Sequence, residues 1–149
     1  MLLCWSSPYR LSPFPAPLFR PSFPRGRGLS TAAAVQIFDC SGQLCGRIAW
    51  LRTARDTAGR LARDNKNPDP ASRQRPLCGL TILHGLQPAG PDHWNSGALY
   101  NPENGQTYRV SAELRSADVF VARIYLGVPL FGETKTLLRV SRLRSEGWC

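Results

Sequence analysis

Two histidines, a few carboxylates held in turns, five cysteines and one basic loop are what this sequence of 149 residues offers for chemistry. His84 and His93 stand in no metal-binding spacing and beside no evident nucleophile. His84 reads as a strand-end residue and His93 as a turn residue. Asp64, Asp69 and Glu103 could act as a general acid and base if the fold paired two of them in a cleft. They sit among Asn, Pro and Gly, where carboxylates commonly bond nearby backbone, so turn capping is the simpler reading. Cys78 lies between Pro76 and a strand entry, near Gly79. A reactive thiol needs a basic activator, and the sequence fixes none near it, so a small buried residue is expected. Gly26-Arg27-Gly28 has the glycines of a phosphate loop without the strand-to-helix context. No catalytic residue is assigned. Five cysteines without a CxxC pair call for no metal, and nothing calls for a cofactor.

The formal charge of +9 raises the question of nucleic acid, but its distribution weakens it. Residues 1–34 carry four arginines and no acid, and the end segment 141–149 is also basic. Within the body, segment 52–76 holds seven basic residues against three acids, and the remainder is balanced. A solvated basic loop is expected, with an anion site as the sharper alternative. No nucleic-acid partner is expected; a continuous basic stripe with exposed aromatics is what would support one. No run of about 18 apolar residues occurs, so no transmembrane helix is expected.

The elements that would position these residues read as short strands. Residues 1–31 look foreign to the rest of the chain: they are proline-rich and lack acids and any apolar period, so a disordered or non-native segment is expected. No signal-peptide core is recognisable there. A β-barrel domain is expected over 32–140, followed by a basic tail over 141–149. Ala33 to Phe38 and Leu44 to Leu51 form a hairpin, and Cys40 and Cys45 flank its turn. They are either a disulfide, worth about 2 kcal/mol in an exported protein, or two thiols. Strands also read over 77–86, 94–100, 106–115, 119–126 and 131–140. In one of them Tyr108, Val110, Ala112 and Leu114 alternate with Arg109, Ser111, Glu113 and Arg115. In the last, Glu133, Lys135 and Arg139 are expected on the outer face. Seven short strands with tight turns imply an all-β, small antiparallel up-and-down barrel with one long ordered loop. Trp50, Tyr108, Phe120, Ile124 and Leu138 are candidates for its interior. The loop would place Asp64, Asn67, Asp69 and Arg73 near its mouth.

Several blocks together resemble a bacterial family of unknown function, DUF2147. They are Cys-Ser-Gly-Gln-Leu-Cys-Gly-Arg-Ile-Ala-Trp-Leu (40–51), Asp-Asn-Lys-Asn-Pro-Asp-Pro with Arg-Pro-Leu-Cys-Gly-Leu (within 64–80), Trp94 with Gly97, Tyr-Asn-Pro-Glu-Asn-Gly-Gln-Thr-Tyr (100–108) and Leu-Gly-Val-Pro-Leu-Phe-Gly (126–132). The resemblance implies a lipocalin-like barrel exported to the bacterial envelope, hence a periplasmic or secreted protein. It also implies a first strand with a Gly-x-Trp pattern. Gly28-Leu29-Ser30 lacks that tryptophan, so the first strand is expected to be missing, with exposed edges beside it. A family tryptophan near the end falls at Leu137.

Two functions fit this reading. The first is a non-enzymatic binder of a small apolar or amphipathic ligand inside the barrel, using Trp50, Asp64, Asn67, Asp69, Arg73, Tyr108, Phe120 and Ile124. The second is a protein-interaction or scaffold module that uses the 52–76 loop and an exposed sheet edge.

Overall fold

The computed structural model describes residues 18–21, 33–139 and 149. It is an antiparallel meander closed into a barrel. The strands are β1 (Leu18–Pro21), β2 (Ala33–Cys40), β3 (Gln43–Leu51), β4 (Thr81–Pro88), β5 (His93–Asn101), β6 (Gln106–Ser116), β7 (Val119–Tyr125) and β8 (Glu133–Arg139). Each pairs with the next, and β1 joins β8. Two single 3₁₀ turns, Pro70–Ser72 and Pro129–Phe131, interrupt the connections. No helix among the described residues is long and apolar enough to cross a membrane.

The strands form because apolar residues recur every second position, which puts them on one face of a pleated strand. Val110 lies opposite Ile124, Ala112 opposite Ala122 and Leu114 opposite Phe120. These face a core that includes Ile37, Leu83, Leu86, Val110, Ala112, Phe120 and Ala122. Trp94 meets Phe120 with ring centroids 6.3 Å apart. Arg109 and Arg115 project outward from β6, as its alternation predicts.

Three expectations change. First, a short strand exists before residue 32. Leu18–Pro21 pairs with Val35 and Gln36 of β2 and with Leu137, Leu138 and Arg139 of β8. Leu18 and Phe19 follow Pro17, and Pro21 ends the strand; proline is tolerated at a strand end, where its missing N–H costs no ladder bond. This strand is far shorter than its neighbours, so it bridges β2 and β8 through few pairs. The rest of the N-terminal segment, including Gly26-Arg27-Gly28 and Gly28-Leu29-Ser30, lies outside the described residues, as does the basic tail except Cys149.

Second, β8 sits with the opposite face inward. Leu137 lies opposite Phe120, Lys135 opposite Ala122 and Glu133 opposite Ile124. Leu137 packs on the core, while Leu138 is exposed. The adjacent leucines allow either face to be the apolar one, and a one-residue slip exchanges the faces. Only pairing with β7 decides. Glu133 and Lys135 therefore lie on the inner side, and Leu138 does not.

Third, the β2–β3 ladder is irregular between Ala34 and Val35. Val35 pairs with Ile48, but Ala34 pairs with Trp50. The extra residue, Ala49, is a bulge, which turns the following side chain over. Trp50 thus shares the side of Ala34 and leaves the inner wall formed by Val35 and Ile48.

Gly97 exists for close packing. A Cβ there would sit 2.7 Å from Leu86 Cγ and 2.9 Å from Val110 Cγ1. Leu86 is fully buried and cannot step aside. Gly97→Ala is expected to cost about 2 kcal/mol by overpacking, read as a lower urea midpoint at unchanged slope.

Candidate functional site

The long connection between β3 and β4 is a folded structure in its own right. Bridges at Arg55 with Leu61 and at Arg63 with Pro76 extend it as a ragged hairpin. At its centre Asp64 is fully buried. Its Oδ1 accepts a hydrogen bond from the Tyr100 hydroxyl at 2.6 Å. Its Oδ2 accepts from Asn67 Nδ2 at 2.8 Å and from Arg75 Nε at 2.9 Å, and Arg75 Nη2 lies at 2.9 Å. Four donor contacts thus meet this carboxylate, three of them at Oδ2. Burial alone would raise the Asp64 pKa. The bonds from Tyr100, Asn67 and Arg75, with the charge of Arg75, outweigh it and hold the carboxyl below its ordinary value. Burial and the Asp64 charge in turn push the Tyr100 phenol up.

The neighbours extend this arrangement. The Asp69 N–H donates to Asn67 Oδ1 at 2.9 Å. Asp69 caps the 3₁₀ turn, accepting from Ala71 N at 3.0 Å and Ser72 Oγ at 2.7 Å. Those bonds, from Ser72 first, lower its pKa. Arg73 Nε donates to Asn67 O at 2.8 Å. Asp64, Asn67, Asp69 and Arg73 are therefore together, as the sequence suggests, but they bond one another. Strand alternation puts Tyr100 on the face opposite Leu99, which packs on the core. The assembly thus clasps the outside of β5 and the β5–β6 turn. A Cβ on Gly105 would lie 2.0 Å from Lys66 O, so the loop backbone rests directly on that glycine. An ionised carboxylate sealed in this way cannot serve as a base for a bound molecule.

The inner wall at this same end of the barrel is less tightly sealed. Tyr108 and Ile124 are half-buried there, and Ile124 packs against the core. The Tyr108 hydroxyl donates to Gln106 Oε1 at 2.9 Å and accepts from Asn104 Nδ2 at 2.8 Å. Glu133 and Lys135 form an ion pair beside them. Phe120 lies deeper and is nearly inaccessible. Apolar wall, phenol and ion pair together suit a molecule with both apolar and polar parts.

Two clefts lie outside this wall. One, of ≈ 490 Å³, is lined by loop residues that include Arg55, Arg60 and Arg63. The other, of ≈ 440 Å³, is lined largely by outward-facing side chains of β5 to β8, among them His93, Glu113 and Arg123. His93 Nε2 stands 3.3 Å from Glu113 Oε2, which also pairs with Arg115. The bond from Arg115 leads in lowering the Glu113 pKa. His84 Nε2 lies 3.0 Å from Thr81 O.

The family model described as an uncharacterized protein conserved in bacteria, DUF2147, matches residues 26–139. The chain belongs to the DUF2147 family. Comparison with curated proteins gave no match. Among solved structures the chain is similar to protein HP1028 from the human pathogen Helicobacter pylori, described as belonging to the lipocalin family. The TM-score is 0.69 at 23% identity, over 86% of this chain and 84% of that one. This likeness shows a lipocalin-like fold.

The family blocks are now intelligible as contacts. The Asp64 block and the Tyr100 block meet in the clasp, and Gly105 makes room for Lys66 O. Sequence alone does not single out Tyr100 and Arg75, because nothing local ties residues 36 positions apart. Cys40 and Cys45 form a disulfide, with Cα atoms 5.9 Å apart. Cys78 is also bonded, to Cys149 across 71 residues. The sequence reading of Cys78 as a small buried residue is corrected: its partner is too distant in the chain for spacing to reveal. In this DUF2147 domain the second disulfide ties Cys149 to the connection just before β4.

Proposed function

We propose that this protein is a non-enzymatic ligand-binding barrel of the bacterial envelope that takes a small amphipathic molecule at the mouth beside the clasp. The carrying observation is the inner wall there: half-buried Tyr108 and Ile124, with the Glu133–Lys135 pair at their side. The apolar part of the ligand meets Ile124; its polar end meets the phenol and the ion pair. The middle of the lumen is packed around Phe120 and Leu86, so the ligand is seated shallowly. The clasp holds the mouth rigid and is not itself a contact. Export is supported by the two disulfides, since such bonds persist in oxidising compartments such as the periplasm.

The second reading, a protein-interaction module, draws support from the packed lumen and the exposed basic loop. The exposed edge it also invokes is partly covered by β1.

Native mass spectrometry of protein purified from its own host tests the ligand reading. A bound small molecule is expected, and a uniformly empty protein would count against it. Ile124→Trp fills the mouth and is expected to weaken a fluorescent fatty-acid probe about tenfold, equivalent to about 1.4 kcal/mol. Unchanged probe affinity in that variant, with its melting temperature retained, would move the ligand site elsewhere.

A further inference from the structure

The connection between β7 and β8 carries an apolar tip that no part of the ligand site uses. Leu126, Val128, Leu130 and Phe131 are 60%, 52%, 79% and 81% exposed. Side chains of this kind on a flexible loop would fold back on the barrel. Here the backbone is held. Arg123 Nε and Nη2 donate to Pro129 O at 2.9 and 2.8 Å, and Nη2 also reaches Leu130 O at 3.1 Å. Phe131 N donates to Val128 O at 3.3 Å. Gly132 lies so close to Ile124 O that a Cβ would stand 2.5 Å away. The tip is thus a rigid projection whose large apolar groups point to solvent.

The topology places this tip on one rim together with the basic loop. In an up-and-down meander alternate connections share an end. The tight turns at 41–42, 89–92 and 117–118 are at the other end. The 52–80 connection, the 102–105 turn and the 126–132 tip are at this one. Besides Arg60 and Arg75, which pair with acids, the loop carries exposed Arg52, Arg55, Arg63, Lys66 and Arg73. Its buried acid, Asp64, is matched by Arg75 and Asp56 by Arg60, and the exposed Asp69 offsets one further cation. The loop therefore presents a net positive surface, with a cleft of ≈ 490 Å³ lined by Arg55, Arg60 and Arg63 together with Asp56.

We infer that this rim docks on an anionic lipid bilayer. The apolar tip enters the acyl boundary, and the loop's arginines and lysine meet the headgroup phosphates. The two observations are independent, and each demands a different layer of the same partner. An apolar projection fits hydrocarbon, and a cationic surface beside it fits a negatively charged headgroup plane. A protein partner or a second copy of this chain would satisfy the tip without requiring the charge.

Flotation of the full chain with vesicles tests this. Binding is expected to equimolar phosphatidylcholine and phosphatidylglycerol, and to fall sharply on vesicles of phosphatidylcholine alone. Leu130→Asp with Phe131→Asp is expected to lower partitioning at least tenfold. Lys66→Glu is expected to lower it about tenfold, in keeping with the worth of charges near an anionic surface. Both variants alter exposed side chains, so an unchanged melting temperature checks their folding. Absence of binding to the anionic vesicles overturns the inference. So does binding indifferent to the tip variant, or a tip variant whose effect is to abolish self-association in sedimentation velocity.

Discussion

Asp64→Ala lowers the free energy of unfolding by about 3 kcal/mol, and the melting temperature by roughly 10 °C. The loss does not come from one ion pair, because the Arg75 side chain is 41% exposed and its charge is partly screened by water. It comes from leaving the Tyr100 hydroxyl and the Asn67 amide without their acceptor in a buried site. Asp64→Asn keeps the shape and is expected to fall between wild type and alanine. The pH dependence separates charge from shape. The folded pKa of Asp64 is below its unfolded value of about 3.9. Its contribution is therefore fully present above that unfolded value and is lost as pH falls through the folded one. The stability gap between wild type and Asp64→Asn should close over that acid range. Parallel curves would show that the ionised form is not what the clasp stabilises.

Gly105→Ala is the second large loss, about 3 kcal/mol in a denaturant titration. Two costs combine. The residue has a φ of 73°, where an L side chain is strained by about 1 kcal/mol. The new methyl would also lie 2.0 Å from Lys66 O, a backbone atom that moves only if the loop moves. Gly42→Ala is the control. Its φ is 82°, and a Cβ there meets nothing within 4 Å, so only the conformational cost of about 1 kcal/mol remains. Gly105→Ala combined with Asp64→Ala should cost less than the sum, because either change alone releases the same loop. Full additivity would mean that the 64–68 segment and the 101–105 turn are not one unit.

Such coupling explains what the sequence could and could not show about the candidate site. The loop is visible as a structured element, because its prolines and asparagines favour turns over helix or strand. Asn67 and Asp69 do hold those turns. That Asp64 is the hub is not visible, since its partners Tyr100 and Arg75 lie 36 and 11 residues away. Cys78 is the same case: local context suggests a small buried residue, whereas its bond reaches Cys149. The interior is half legible. Phe120 and Ile124 face inward as their alternation requires, but Trp50 and Leu138 do not.

By itself the sequence determined the all-β class, the strand sequence from Ala33 onward and the family. Period-two alternation and turn residues are local properties, and a pleated strand obeys them wherever it is placed. Tertiary structure alone decided which face of β8 meets the core, because Leu137 and Leu138 serve equally until Phe120 selects one. It alone put Trp50 past a bulge and closed the ring with Leu18–Pro21. It also turned a polar loop into a sealed clasp. Each of these depends on contacts between residues far apart in the chain, whose free energy exists only once the barrel has brought them together.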